Sequence, residues 1–346
     1  MHCSSSLPQN GSRTCFGAEL FLCLFQQFLT RDRQSVIIRL ETNSIVWRLY
    51  VCRRKEVTMS FWIATDSCTD FPEAYVQKQK NLAIVPMMYQ IEGQFYVPDG
   101  SDESTRVFYA KLRGGVVATT SQVTAEAWKE AFEKLLKEGH DVLCIAFSSA
   151  LSGTHDAAVV AMQELKPEYP QRKLIVIDSK CASLGLGLLV HNAIQKRDAG
   201  ASIEETAKWA QDNHQKVIHW FTVDDLQFLR RGGRVSATSA YIGGIMKIKP
   251  ILHVSEEGKL IPREKVQGRK RSLRTLCDKV KEQAVDPENQ TVFISHGDCL
   301  EEAEWLASII REELHVKDVM LSLIGPVVGS HSGPGTMAIF FLGEHR

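Results

Sequence analysis

From residue 61 onward the apolar positions follow two periods. FWIAT (61–65), DVLCIAF (141–147) and KLIVID (173–178) are short continuous apolar runs. Such runs predict strands buried on both faces, as in a parallel sheet. LAIVPMMYQI (82–91) is another, and Pro86 within it predicts an edge or a bend. Between the runs the period becomes helical. In AEAWKEAFEKLLKEG, residues Trp128, Phe132, Leu135 and Leu136 share one face, with Thr124 placed to cap the start and Gly139 to end the helix. A polar turn, DSCTDFP, leads to a helical stretch from Glu73, and small-residue loops follow the runs that end at 147 and 178. This alternation predicts a parallel sheet with helices on both faces, an α/β/α arrangement.

After residue 215 the texture changes. VIHWFTV (217–223) predicts a strand, and KPILHV and GKLIPREKV around SEEG predict a hairpin. RSLRTLCDKVKEQA and EEAEWLASIIREEL predict helices, while TVFISHGD and VMLSLI predict strands. Hairpins mixed with two long helices predict a two-layer α+β domain with its helices on one face. The expected organisation is an α/β domain over residues 59–215 and an α+β domain over residues 216–346.

Composition adds exclusions. Lys+Arg and Asp+Glu both number 41, so no global charge favours nucleic acid or an anionic membrane. The nine cysteines contain no C-x-x-C pair and no zinc spacing. They read as reduced, mostly buried thiols, which predicts a cytoplasmic protein that binds no metal.

Ligands of an open parallel sheet bind beyond the carboxyl ends of its strands. Three Ser/Thr/Gly-rich loops are expected there: ATTSQVT (118–124), SSALSGT (148–154) and DSKCASLGLG (178–187). Each leads into a predicted helix, whose free N–H groups and partial positive charge would hold a small anion with help from the hydroxyls. The same residues serve equally well as plain N-caps. Neither G-x-G-x-x-G nor a P-loop occurs. A Ser/His hydrolase of acyl esters would take its nucleophile from Ser148, Ser149 or Ser152 and its base from His331. It lacks an identifiable orienting carboxylate, and His155 and Asp156, consecutive on a predicted helix, are not expected to face each other.

LRRGGR (229–234) sets three arginines around two glycines, whose freedom at positive φ lets the guanidinium forks converge on a carboxylate or phosphate. GRKRSLR (268–274) opens a predicted helix with positive charge, against the dipole, which suits either a partner or a solvated face. VVGSHSGPGTMAIFF (327–341) has the outline of a nucleophile elbow with His331 in place of the serine. An apolar strand-like pair precedes a glycine-rich turn. His331 as base, as ligand donor or as turn residue all stay open.

Taken together, ATDSCTDFP, TTSQVT, IAFSSALSGTHDAA, VIDSKCASLGLGLLV, FTVDDLQFLRRGGRVS, GGIMKIKPIL, GKLIPREKVQGRKRSL, HGD and GSHSGPGTMAIFF resemble the DegV family, in family order from residue 59 to 343. These are lipid-binding proteins that act as the fatty acid-binding subunit of bacterial fatty acid kinase. The resemblance implies a long-chain fatty acid such as palmitate, stearate or oleate held between the two domains, with no cofactor. It implies that Thr120, with Ser121 beside it, Ser149 or its neighbour Ser148, and His331 bind the acyl carboxylate. It further implies a non-catalytic role, in which the protein presents the lipid to a separate ATP-dependent fatty acid kinase. Arg231 and Arg234, with Arg269 of the second basic cluster, are then expected to contact the kinase or the new phosphate. Nucleic acid is not an expected partner, whereas transient membrane contact suits a lipid carrier. The competing readings are the Ser/His hydrolase and a binding module for another small anion.

Residues 1–58 differ from the rest. They carry four of the nine cysteines and a net charge of +4 against −4 for the remainder. The apolar run LFLCLFQQFL (20–29) is too short to span a bilayer, and Glu19 with no A-x-A-like site disfavours a signal peptide. Lys55-Glu56-Val57 can be encoded by AAGGAGGTG, a ribosome-binding sequence just ahead of Met59. The segment is therefore expected to be a non-native extension, with translation starting at Met59. Mass spectrometry of the native protein is expected to find no peptide from residues 1–50, and finding one overturns this reading.

Overall fold

The computed structural model describes residues 61–235 and 248–346. The extension read above, residues 1–58, lies outside the described residues. The strands are β1 (Phe61–Asp66), β2 (Leu82–Val85), β3 (Met88–Ile91), β4 (Gln94–Tyr96), β5 (Ala118–Ser121), β6 (Asp141–Ala146), β7 (Leu174–Asp178), β8 (Val217–Thr222), β9 (Ile248–Val254), β10 (Leu260–Gln267), β11 (Thr291–His296), β12 (Asp318–Leu323) and β13 (Met337–Leu342). The α-helices are α1 (Glu73–Val76), α2 (Asp102–Arg113), α3 (Ala125–Lys137), α4 (Thr154–Leu165), α5 (Leu184–Asp198), α6 (Ile203–Asn213), α7 (Gln227–Arg231), α8 (Arg269–Gln283), α9 (Leu300–Leu314) and α10 (Pro326–Ser332).

A four-stranded parallel sheet has the order β2-β1-β6-β7. α3 packs with α4 and α5 with α6, and each pair lies against this sheet. α3 forms as its sequence dictates. Thr124 accepts a hydrogen bond from the Ala127 N–H at 3.2 Å, the four predicted apolar residues are buried, and Gly139 takes φ 87° just beyond the end. β7 is less buried than its apolar run predicts, with Leu174, Ile175 and Val176 all partly exposed, because it is an edge strand.

LAIVPMMYQI splits at Pro86 into β2, at the parallel sheet's edge, and β3, at the centre of a three-stranded antiparallel sheet β4-β3-β5. This corrects the expectation for ATTSQVT. Ala118–Ser121 is not a loop beyond the parallel sheet but strand β5, paired with β3. Two consecutive β-branched threonines suit a pleated strand.

A six-stranded sheet has the order β10-β9-β8-β13-β11-β12. Its two faces follow the period-two alternation. Ile218, Trp220, Ile339 and Phe341 pack with residues of α8 and α9. His219, Phe221, Ala338 and Phe340 face the other way, towards a cavity. α5 lies between the two sheets, touching β1 and β6 of one and β8, β11 and β13 of the other. Ten of its 15 residues are buried. That is why SLGLGLLV carries no amphipathic period. A Cβ at Gly185 would overlap the His219 ring, so glycine lets α5 approach the sheet. His219 donates from Nδ1 to the Val217 carbonyl at 2.8 Å and accepts at Nε2 from the Ala182 N–H at 3.3 Å. Burial holds it neutral, far below the ordinary histidine range.

Two buried carboxyls pin these layers. Asp66 accepts from the N–H groups of Cys68 at 3.0 Å and Phe147 at 2.8 Å. Asp70 accepts from the Ser183 hydroxyl at 2.5 Å and the Gly325 N–H at 3.0 Å, joining the end of β1 to the start of α5 and to the turn before α10. Burial raises Asp66 to about 6 and Asp70 to about 7, against the pull of those hydrogen bonds. Between about 4, the ordinary aspartate value, and about 7 the folded state keeps a proton that the unfolded chain releases, so Asp70 subtracts stability as pH rises through that window. Asp70→Asn removes this titration. Relative to the variant, the wild type is expected to lose melting temperature as pH rises from about 4 to about 7. A difference that is flat with pH refutes the assignment.

Candidate functional site

Ahead of α5's first turn the layer between the sheets holds a cavity of about 220 Å³. Phe221, Ala338 and Phe340 of the six-stranded sheet form one wall. Cys68 and Met87, near the ends of β1 and β2, and Phe147 and Leu151 after β6 form another. Val327 and Val328 of α10 contribute a third. The walls are chiefly apolar, and Thr120, Gln122, Ser152, Arg234 and His331 add polar groups.

Thr120 and His331, distant in sequence, meet here: Thr120 Oγ1 lies 2.7 Å from His331 Nε2. Strand alternation turns Thr119 outward and Thr120 inward. His331 stands on the last turn of α10, not in the glycine-rich turn expected from sequence, and Val327-Val328 are helical rather than strand-like. Pro326 at the first helical position preorganises the start of α10. Gly333, at φ 81°, ends it.

Burial, and then the charge of Arg234, push His331 down to about 4, so its imidazole is neutral at neutral pH. Among the described residues Nδ1 has no hydrogen-bond partner. It packs on Gly232, where a Cβ would overlap it. The glycine of LRRGGR thus serves the histidine, a role the sequence reading assigned to arginine convergence. With the proton on Nε2, the imidazole donates to Thr120 Oγ1 and leaves the threonine hydroxyl hydrogen free for an anion.

Arg234 lines the same cavity and donates from Nε to the Leu151 carbonyl at 3.1 Å and from Nη1 to the Gly232 carbonyl. Burial lowers its pKa, and no carboxylate among the described residues offsets this. Arg231 is exposed, its guanidinium 4.7 Å from the Phe228 ring centre. It lines a second, outer cavity of about 180 Å³. Thr120, Arg234 and His331 line both cavities.

The other expected residues are not gathered here. Ser148 donates to the Gly258 carbonyl at 3.0 Å, and Ser149 accepts from Lys180 Nζ at 2.8 Å, which also pairs with Asp178 at 2.6 Å. Neither serine lines the cavity: the β9–β10 turn covers Ser148, and Ser149 is held by Lys180 and Asp178; Leu151, Ser152 and Gly153 take that wall instead. Ser121, next to Thr120, does not line it either. Arg269 pairs with Glu302 at 2.6 Å and touches Asp224 at 3.5 Å, so its charge is spent between α8 and α9. His155 Nδ1 lies 2.9 Å from Asp156 Oδ1, contrary to expectation, since the first helical turn has no preceding turn to restrict rotamers. That pair lines neither cavity. Ser152 bonds Thr154 at 2.9 Å rather than His331. Among the described residues no group of metal ligands occurs, and no helix is long and apolar enough to cross a membrane.

A family model described as "Uncharacterised protein, DegV family" matches residues 60–344. A DegV domain-containing protein of Clostridium perfringens is 44% identical over 287 residues, 83% of this chain and 98% of that protein. A crystal structure of a DegV lipid binding protein from Thermotoga maritima matches with a TM-score of 0.74 at 30% identity, covering 83% of this chain and 99% of that one. DegV from Bacillus subtilis, described as a fatty acid binding protein, matches at 0.71 and 27%, covering 83% and 100%. The family model spans both large sheets and the relatives are matched over almost their whole length: the chain belongs to the DegV family.

Proposed function

We propose that this chain binds a long-chain fatty acid and presents its carboxylate to an ATP-dependent fatty acid kinase. The observation that carries the proposal is the apolar cavity that meets the Thr120–His331 pair, with Arg234 beside it. The relatives described as lipid or fatty acid binding proteins support it. In this reading Thr120 donates to the carboxylate, His331 orients that hydroxyl, and Arg234 supplies the countercharge. Arg231 and the outer cavity serve the incoming phosphoryl group or the kinase. A non-catalytic role accords with His331 being paired to a threonine and Ser152 to Thr154.

Each buried methylene contributes about 0.8 kcal/mol, so a chain of ~14 gives on the order of 10 kcal/mol before ordering costs. The tail dominates affinity and the polar cluster sets register. Thr120→Ala and His331→Ala are therefore expected to weaken fatty acid binding by about tenfold while cutting the kinase rate by about a hundredfold, since head-group position is lost. Native mass spectrometry, displacement titration and acyl phosphate formation check the three parts. Wild-type kinase turnover in both variants sinks the assignment. Gly232→Ala is expected to mimic His331→Ala, because its Cβ needs the space of Nδ1. A variant that folds and turns over normally would show that this contact is dispensable.

A further inference from the structure

The end of α10 holds a hydroxyl that nothing above uses. Ser332 is 5% exposed and lines the inner cavity. Its Oγ is buried with no hydrogen-bond partner among the described residues. Its neighbours behave differently. Ser330 donates back to the Pro326 carbonyl at 2.7 Å. Thr336 donates to the carbonyls of Ser332 and Gly333, both at 2.9 Å. A buried hydroxyl without a partner is unfavourable, and it lies beside the equally unpartnered Nδ1 of His331.

Helical geometry gives this hydroxyl a direction. At about 100° per residue, Val327, His331, Val328 and Ser332 cover an arc of about 140° on α10, and these four line the cavity. His331 and Ser332 stand on the same last turn. A carboxylate has two oxygens and about four lone-pair positions, more than the Thr120 hydroxyl can fill. An anion at a helix C-terminus also meets carbonyl oxygens rather than N–H groups. The single hydroxyl hydrogen of Thr336 is shared between two of those carbonyls, which lessens the repulsion.

We infer that Ser332 is a further ligand-binding residue, whose hydroxyl donates to the carboxylate oxygen that Thr120 leaves free. The inference rests on the fatty acid reading of the cavity. Ligand entry then relieves the unpaired hydroxyl and adds a second anchor, so acids are favoured over single-oxygen head groups of the same chain length.

The test uses the full chain, stripped of lipid, with palmitate and hexadecanol as probes in displacement titrations and thermal melts. Ser332→Ala is expected to weaken palmitate by about tenfold and hexadecanol by no more than about twofold. Ser332→Thr, which keeps the hydroxyl, is expected to restore palmitate binding. Without lipid, Ser332→Ala is expected to melt at or above the wild-type temperature, because it removes an unpaired polar group, yet to gain less from palmitate. Wild-type palmitate affinity in Ser332→Ala overturns the inference alone and leaves Ser332 as a cavity-wall residue. Equal loss for both probes also overturns it, since that marks a packing defect. A wild-type chain that binds no palmitate instead overturns the fatty acid reading on which it depends.

Discussion

The structure depends on one constraint: the first two turns of α5 lie between two sheets and have no free face. A helix in that position must be apolar all round and small where the strands come nearest, and LGLGLLV meets both demands. The six-stranded sheet can then bury both faces, one under α8 and α9 and the other against α5. The intersheet layer is filled only where α5 runs. Ahead of Leu184 the same layer continues without a helix, and the cavity lies there, with Ala182 and Ser183 on its wall. The cavity is thus a consequence of where one helix begins.

That origin also explains the chemistry at the rim. Apolar strands and loop ends supply most of the wall, so a polar group there must be paired or await a partner. Asp70 answers by accepting from Ser183 and Gly325. His219 answers by staying neutral between Val217 and Ala182. Among the described residues His331 pairs through Nε2 only, and Arg234 beside it has no carboxylate partner. In the proposed reading, the neutral imidazole, the threonine hydroxyl and the partly buried guanidinium form a site that one anion completes.

Burial decides between residues that look equivalent in the sequence. Ser148, Ser149 and Ser152 sit in one loop. The β9–β10 turn covers Ser148, Lys180 and Asp178 hold Ser149, and Ser152 is left on the cavity wall. Arg231, Arg234 and Arg269 are likewise similar in type. Glu302 and Asp224 use up Arg269, Phe228 lies under Arg231, and only Arg234 reaches the inner cavity. Apart from the Phe228–Arg231 contact, such outcomes depend on neighbours tens to about a hundred residues away, which no local pattern encodes.

What the sequence determined by itself was local. The apolar runs specified β1, β6, β8, β11 and β12, the face of Trp128, Phe132, Leu135 and Leu136 specified α3, and SEEG specified the β9–β10 hairpin, because burial imposes a period on each segment. The ordered set of short motifs was enough to suggest the family and to single out Thr120 and His331. Only the tertiary structure decided that ATTS is a strand, that His331 rides a helix, that Gly232 makes room for its ring, and that none of the three serines expected at the carboxylate, Ser121, Ser148 and Ser149, lines the cavity. Those facts depend on which surfaces meet, and meeting is set by the packing of distant elements rather than by the spacing of residues along one of them.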